Sequence, residues 1–228
     1  MASSEAPDPA ASPLGPEWDV AGIAPWRVAL DRRVASTYEA VAHGVARHWL
    51  ALVNAGVGLF LGLPLLAPLL MAAGLTTPAG WIYAAYHLVC HQWAFRSFFL
   101  FGQHAVYPFD TLRALVGEQQ AYSLVGSSQL GYKVAFCERD VAIYAAILLA
   151  GLAFTRVRGR LQPPPLLLFA ILLLPISVDG FTQLFGLRES TWELRVATGA
   201  LFGVAAVWLI YPQLEETARR ARRAYGIG

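Results

Sequence analysis

The sequence predicts an all-α, polytopic membrane helix bundle: four spanning helices plus one re-entrant or interfacial helix, with a fifth crossing as the alternative. Three observations lead there. Of 228 residues, 57% are hydrophobic and 14% charged, and mean hydropathy is +0.49; a soluble domain carries about 25% charged residues. The apolar residues gather into runs of membrane-crossing length. The arginines form short blocks flanking those runs, so the formal net charge of +2 points to lipid headgroups and away from nucleic acid.

The elements follow in order. Residues 1–29 open with "MASSEAPDPAASPLGPEWD", rich in Pro, Ala and Ser, without the basic start and apolar run of a secretory signal peptide. A disordered tail is expected there. Across residues 30–48, Val34, Tyr38, Val41 and Val45 recur at three- and four-residue spacing, which predicts an amphipathic helix lying at the membrane interface. The transmembrane domain is expected over 49–214. Its first span, 49–73, is uncharged and exceeds the ~20 residues needed to cross hydrocarbon, with Trp49 at its mouth and Pro64 and Pro68 near its end. Residues 141–155, extended backwards through "KVAFCERD", then 166–186 and 192–212 supply three more spans, and 215–228 form a basic cytoplasmic tail.

The stretch 80–102 is long enough to cross but carries His87, His91, Gln92, Arg96 and Ser97 in its middle. The charge bias across the membrane decides its placement. If it does not cross, eleven Lys and Arg residues lie inside against six outside. If it crosses, seven face ten, which breaks the positive-inside rule. Four spans with both termini in the cytoplasm are therefore expected, in a multi-pass protein of the cell membrane.

That topology collects the odd polar residues on the outer side. In "YHLVCHQ", His87, Cys90 and His91 stand at i, i+3 and i+4, one face of a helix. In "FCERDVAIY", Cys137 and Asp140 repeat the spacing. Thiolates, imidazoles and a carboxylate are ligands for a divalent metal, zinc first among them. Asp179 lies inside an apolar run, where a charge is expensive unless paired or facing a polar cavity, and Gln183 follows one turn later. Arg96 and Arg139 complete the cluster and offer contacts to an anionic lipid headgroup or phosphate. Ion pairing among Arg96, Arg139, Asp179, Arg188 and Glu193 is the plainer account of these charges. A Cys90–Cys137 disulfide competes with the metal, since oxidation is permitted on the outer side. Gly186 suits a left-handed helix end, Ser190 or Thr191 a cap, and Gly199 with Gly203 a close helix crossing.

The ordered set "YHLVCHQ", "RSFFLFG", "FCERDVAIY", "DGFTQLFGLRES" and "RVATGALFG" resembles the prokaryotic membrane-protein family known as domain of unknown function 2085, over about residues 80–212. The resemblance implies a multi-span protein and leaves the chemistry open. Where this chain has "CERDVAIY", many members resemble C-x-R-C-x-G-I-Y, so Asp140 stands where they carry a second cysteine. That exchange keeps a metal ligand and removes a disulfide partner.

Three functions follow from the residues. One is a metal-dependent hydrolase at the membrane, with His87, Cys90, His91 and Cys137 or Asp140 holding the ion and Asp179 as general base. Another is a non-catalytic subunit or scaffold among membrane-protein partners, with a structural Cys90–Cys137 bridge. The third is a metal or haem carrier with His87 or His91 as axial ligand, without covalent haem, since C-x-x-C-H is absent. The sequence contains no G-x-x-x-x-G-K-S/T, G-x-S-x-G or H-E-x-x-H, which leaves ATP-driven transport, the usual serine hydrolases and zincins unsupported.

Overall fold

The computed structural model describes residues 24–224. The chain divides into two compact units after Gly44. Helix α1 (Pro25–Ala72) begins on a proline, favoured at a first helical position because its missing N–H would have no partner there. The tail expected over 1–29 lies outside the described residues as far as residue 23, and residues 25–29 are helical instead. In the first unit Val34, Tyr38 and Val41 are exposed. No break follows at residue 48; α1 continues through the first span.

Pro64 and Pro68 lie inside α1 and each deprives the carbonyl four residues earlier of its helical donor. Both orphaned carbonyls are satisfied from outside the helix. The Tyr86 hydroxyl donates to the Phe60 carbonyl at 2.8 Å, and the Ala135 N–H donates to the Pro64 carbonyl at 3.2 Å. The prolines therefore make the docking points for the segment that follows.

That segment, residues 73–137, is a small cap. Helix α2 (Thr76–Tyr86) buries Ala79, Tyr83 and Tyr86 against α1 and the 134–136 strip. A single 3-10 turn at Ala94–Arg96 leads into β1 (Phe99–Leu100); α3 (Phe109–Val116) and α4 (Glu118–Ser123) follow. Strands β2 (Gly126–Ser127) and β3 (Gly131–Lys133) complete an antiparallel sheet of order β1-β3-β2. Phe95, Phe99, Tyr107 and Leu112 form the centre of its apolar core. Gly131 has φ +80, and a Cβ there would fall 2.3 Å from the Leu100 carbonyl oxygen, so the sheet closes only over glycine.

The fifth crossing is corrected by α2. Its 11 residues rise about 16 Å, half the ~30 Å of hydrocarbon. Nor is 80–102 one helix: α2 ends at Tyr86, turns follow over 87–89, and Gln92 takes φ +52. Two bonds hold that conformation. Gln92 Nε2 donates to the Tyr83 carbonyl at 2.9 Å, and Lys133 Nζ donates to the Gln92 carbonyl at 2.5 Å.

Among the described residues, four helices are long and apolar enough to cross a membrane: α1, α5 (Glu138–Val157), α6 (Leu166–Leu184) and α7 (Trp192–Ala224). The cap and the α6–α7 turn thus share one end of the bundle, and the α5–α6 link lies at the other. Helices α5 and α7 cross closely. A Cβ on Gly199 would meet the Arg139 carbonyl at 2.9 Å, and one on Gly203 the Ile143 carbonyl at 2.6 Å. Gly186, at φ +66, ends α6, and the Leu194 N–H reaches Thr191 Oγ1 at 3.4 Å to cap α7. The basic tail expected from residue 215 is helical through Ala224, with Glu215, Arg219 and Arg222 in ion pairs; residues 225–228 lie outside the described residues.

Candidate functional site

Cys137 is the N-cap of α5, and its sulfur accepts the Asp140 N–H at 3.4 Å. This fixes the Asp140 side chain over the same turn, where Cys137 Sγ lies 3.2 Å from Asp140 Oδ2. Cys90 arrives from the irregular stretch after α2, and its sulfur accepts the Cys137 N–H at 3.3 Å. One ligand atom each from Cys90, Cys137 and Asp140 lie within 4.8 Å of one another. Both cysteines are free thiols.

The two sulfurs differ in character. The hydrogen bond from Cys137 lowers the Cys90 pKa, against the opposing effects of burial and Asp140. Cys137 is pushed up by the same bond and by burial. Cys90, which accepts the Cys137 N–H at the partly positive N-terminus of α5, is thus the more acidic of the two thiols. Lys133, the only lysine, lies nearby; burial lowers it to about 8, while the Cys90 charge favours its protonated form.

The sulfurs and Asp140 open onto a cavity of about 530 Å³ whose wall includes His91, Arg96, Arg139 and Gln183. Two ion-pair networks frame it. Asp179, 1% exposed, accepts Arg139 and Gln183 Nε2 on Oδ2 and Arg188 on Oδ1 at 2.8 Å. Glu138, fully buried, accepts Arg195 at 2.7 Å; Arg195 also bonds Glu189 at 2.6 Å, and Glu189 takes Arg96 in a two-pronged pair at 2.9 and 2.8 Å. Arg96 stacks over Trp93, 4.6 Å from the ring centroid. Three buried atoms in these networks, Glu138 Oε1, Arg139 Nε and Arg195 Nε, have no hydrogen-bond partner among the described residues.

Of the five residues expected as metal ligands, the fold gathers Cys90, Cys137 and Asp140 and leaves out His87 and His91. The reason is the helix end at Tyr86: the i, i+3, i+4 face does not exist, and both imidazoles are exposed. His91 still lines the cavity. Asp179 has both carboxylate oxygens occupied, which fits it to orient Arg139 rather than to take a proton. Gln92 serves the turn rather than the cavity chemistry. Glu138, Glu189, Arg195 and Lys133 were not singled out from the sequence. For Glu138 the signal was present, since a carboxylate at the head of an apolar span needs a cationic partner.

A family model described as "Predicted membrane protein (DUF2085)" matches residues 128–209. An uncharacterised protein of Methanocaldococcus jannaschii is 33% identical over 133 residues, 58% of this chain and 67% of that protein. An uncharacterised protein of Methanothermobacter thermautotrophicus is 34% identical over 74 residues, 32% of this chain and 67% of that protein. No solved structure matches. The family match begins just before β3 and takes in Cys137, Asp140 and the Asp179 network; Cys90 lies before it.

Proposed function

This chain belongs to the DUF2085 family of predicted membrane proteins, and on that premise we propose that it binds a divalent metal, zinc first, on the outer side of the cell membrane through Cys90, Cys137 and Asp140. The observation that carries the reading is their convergence within 4.8 Å from two segments 47 positions apart. A tetrahedral zinc site with sulfur at ~2.3 Å and oxygen at ~2.0 Å has edges of about 3.3–3.8 Å, so a contraction of about 1 Å at most closes the set. The fourth ligand would be a water or the His91 imidazole from the cavity. Such an ion would supply Lewis acidity there. Arg96 and Arg139 line the same wall, and their guanidiniums suit an anionic group entering the cavity.

Binding, rather than hydrolysis, is the function proposed. The acid expected to act as general base, Asp179, is engaged by two arginines and an amide. The positive-inside count further supports an orientation with both termini in the cytoplasm and the cap outside.

Cobalt substitution tests this reading. Titrating Co²⁺ into reduced protein in detergent should produce thiolate-to-cobalt absorption that saturates at one ion per chain. Cys90→Ser and Cys137→Ser should each abolish that band, and His87→Ala should leave it. Retention of the band in both cysteine variants would contradict the proposal. The second reading, a Cys90–Cys137 dithiol that cycles to a disulfide, is favoured by the adjacency of the sulfurs and by the lowered pKa of Cys90.

A further inference from the structure

The bundle end opposite the cysteine site carries its own constellation. Glu215, buried, accepts Arg158 at 2.5 Å, Arg219 at 3.1 Å, Arg222 at 3.2 Å and the Trp49 indole N–H at 2.9 Å. Three guanidiniums on one carboxylate leave two positive charges in excess. Arg158 is also the C-cap of α5 and lies over the Trp49 ring at 5.9 Å.

Beside this network runs a cleft of about 520 Å³ between α1 and α5. Its lining is graded along the helices. Arg47, His48 and Arg158 stand at the mouth, while Ala51, Leu148 and Leu152 continue inward with Asn54 and Thr155 as the polar groups among them. Ten residues separate Arg158 from Leu148, about 15 Å of helix, which matches one leaflet of the ~30 Å hydrocarbon core. A cationic mouth above a mainly apolar channel one leaflet deep is complementary to an anionic headgroup with its chain attached. A free anion would leave the channel unused, and an apolar partner helix would leave the arginines unanswered.

We propose that this cleft holds one anionic phospholipid, its phosphate against Arg47, His48 and Arg158 and an acyl chain along Ala51, Leu148 and Leu152. The occupant comes from the leaflet on the α5–α6 link side, and its binding is independent of the cysteine site.

The test is native mass spectrometry of the full chain in detergent, titrated separately with dioleoyl phosphatidylglycerol and dioleoyl phosphatidylcholine, and with glycerol 3-phosphate as competitor. Phosphatidylglycerol should bind about tenfold or more tightly than phosphatidylcholine, at roughly fivefold per basic residue engaged. The double variant Arg47→Gln/His48→Gln, at two exposed positions, should cut that preference at least about fivefold, leaving only what Arg158 supplies. Leu152→Trp, which fills the channel without changing charge, should remove the one-lipid peak for phosphatidylglycerol. Glycerol 3-phosphate should not compete. Equal retention of both lipids by the unaltered chain would show ordinary annular contact and overturn the proposal. So would an undiminished preference in the double variant, or displacement by glycerol 3-phosphate, which would mark a free-phosphate site.

Discussion

Glu138 has no exposed surface and meets Arg195 at 2.7 Å, so neither charge has water to fall back on. Glu138→Ala leaves that guanidinium buried and half-paired, and a loss of about 3–5 kcal/mol is expected, read as a lower melting temperature in detergent. Tyr86→Phe removes the donor to the carbonyl that Pro64 orphans in α1 and should cost about 1–3 kcal/mol. Lys133 gives a pH signature. Burial lowers its folded pKa to about 8 from the ordinary 10.5, so between those values the unfolded chain binds a proton that the folded chain has released. Stability of metal-free protein should therefore rise with pH above about 8. Tyr83, raised above its ordinary 10 by burial, reverses the trend above pH 10. Melting temperatures across this range should show a maximum, and Lys133→Met should abolish the rising limb. At this scale the sequence was partly legible. Cys90, Cys137 and Asp140 stood out because thiols and a carboxylate are rare beside apolar runs. His87, Cys90 and His91 do not share one helical face, because α2 ends at Tyr86.

The helices were legible by length and hydropathy, whereas the cap was not. Helices of 19 or more residues with a strongly apolar stretch have few alternatives, but strands of two or three residues are too short to show alternation. The break after Tyr86 had no local signal either. The residue with positive φ is Gln92 rather than glycine, and its conformation is set by bonds to Tyr83 and Lys133 that only the folded chain supplies. The Gly199–Gly203 step, by contrast, was read correctly, because close packing of helices in lipid relies on small residues. Gly203→Val should push α7 away from the Ile143 carbonyl and destabilise by about 1–3 kcal/mol. Gly56→Ala is the contrasting control. A Cβ there has nothing within 4 Å, so the change should stabilise by about 0.5–1 kcal/mol. Thermal unfolding of the two variants in one detergent checks both signs.

For the whole molecule, an even number of crossings puts the cap and the α6–α7 turn at one end of the bundle, where the ion pairs knit them together. Arg96–Glu189 and Arg195–Glu138 join the cap, α5 and the α6–α7 turn around one cavity. The opposite end is tied by a single carboxylate among three arginines. This polarity gives each end a different chemistry: two sulfurs and a carboxylate at one, excess positive charge at the other. Reporter fusions at the N- and C-termini should report the same compartment, the cytoplasm. The proposed metal at Cys90, Cys137 and Asp140 is tested by elemental analysis combined with a thiol count on protein purified without chelator or reductant. About one zinc per chain is expected, with two free thiols after metal removal and the zinc lost in Cys90→Ser. Metal-free protein with Cys90 and Cys137 recovered as a disulfide-linked peptide pair would contradict the proposal.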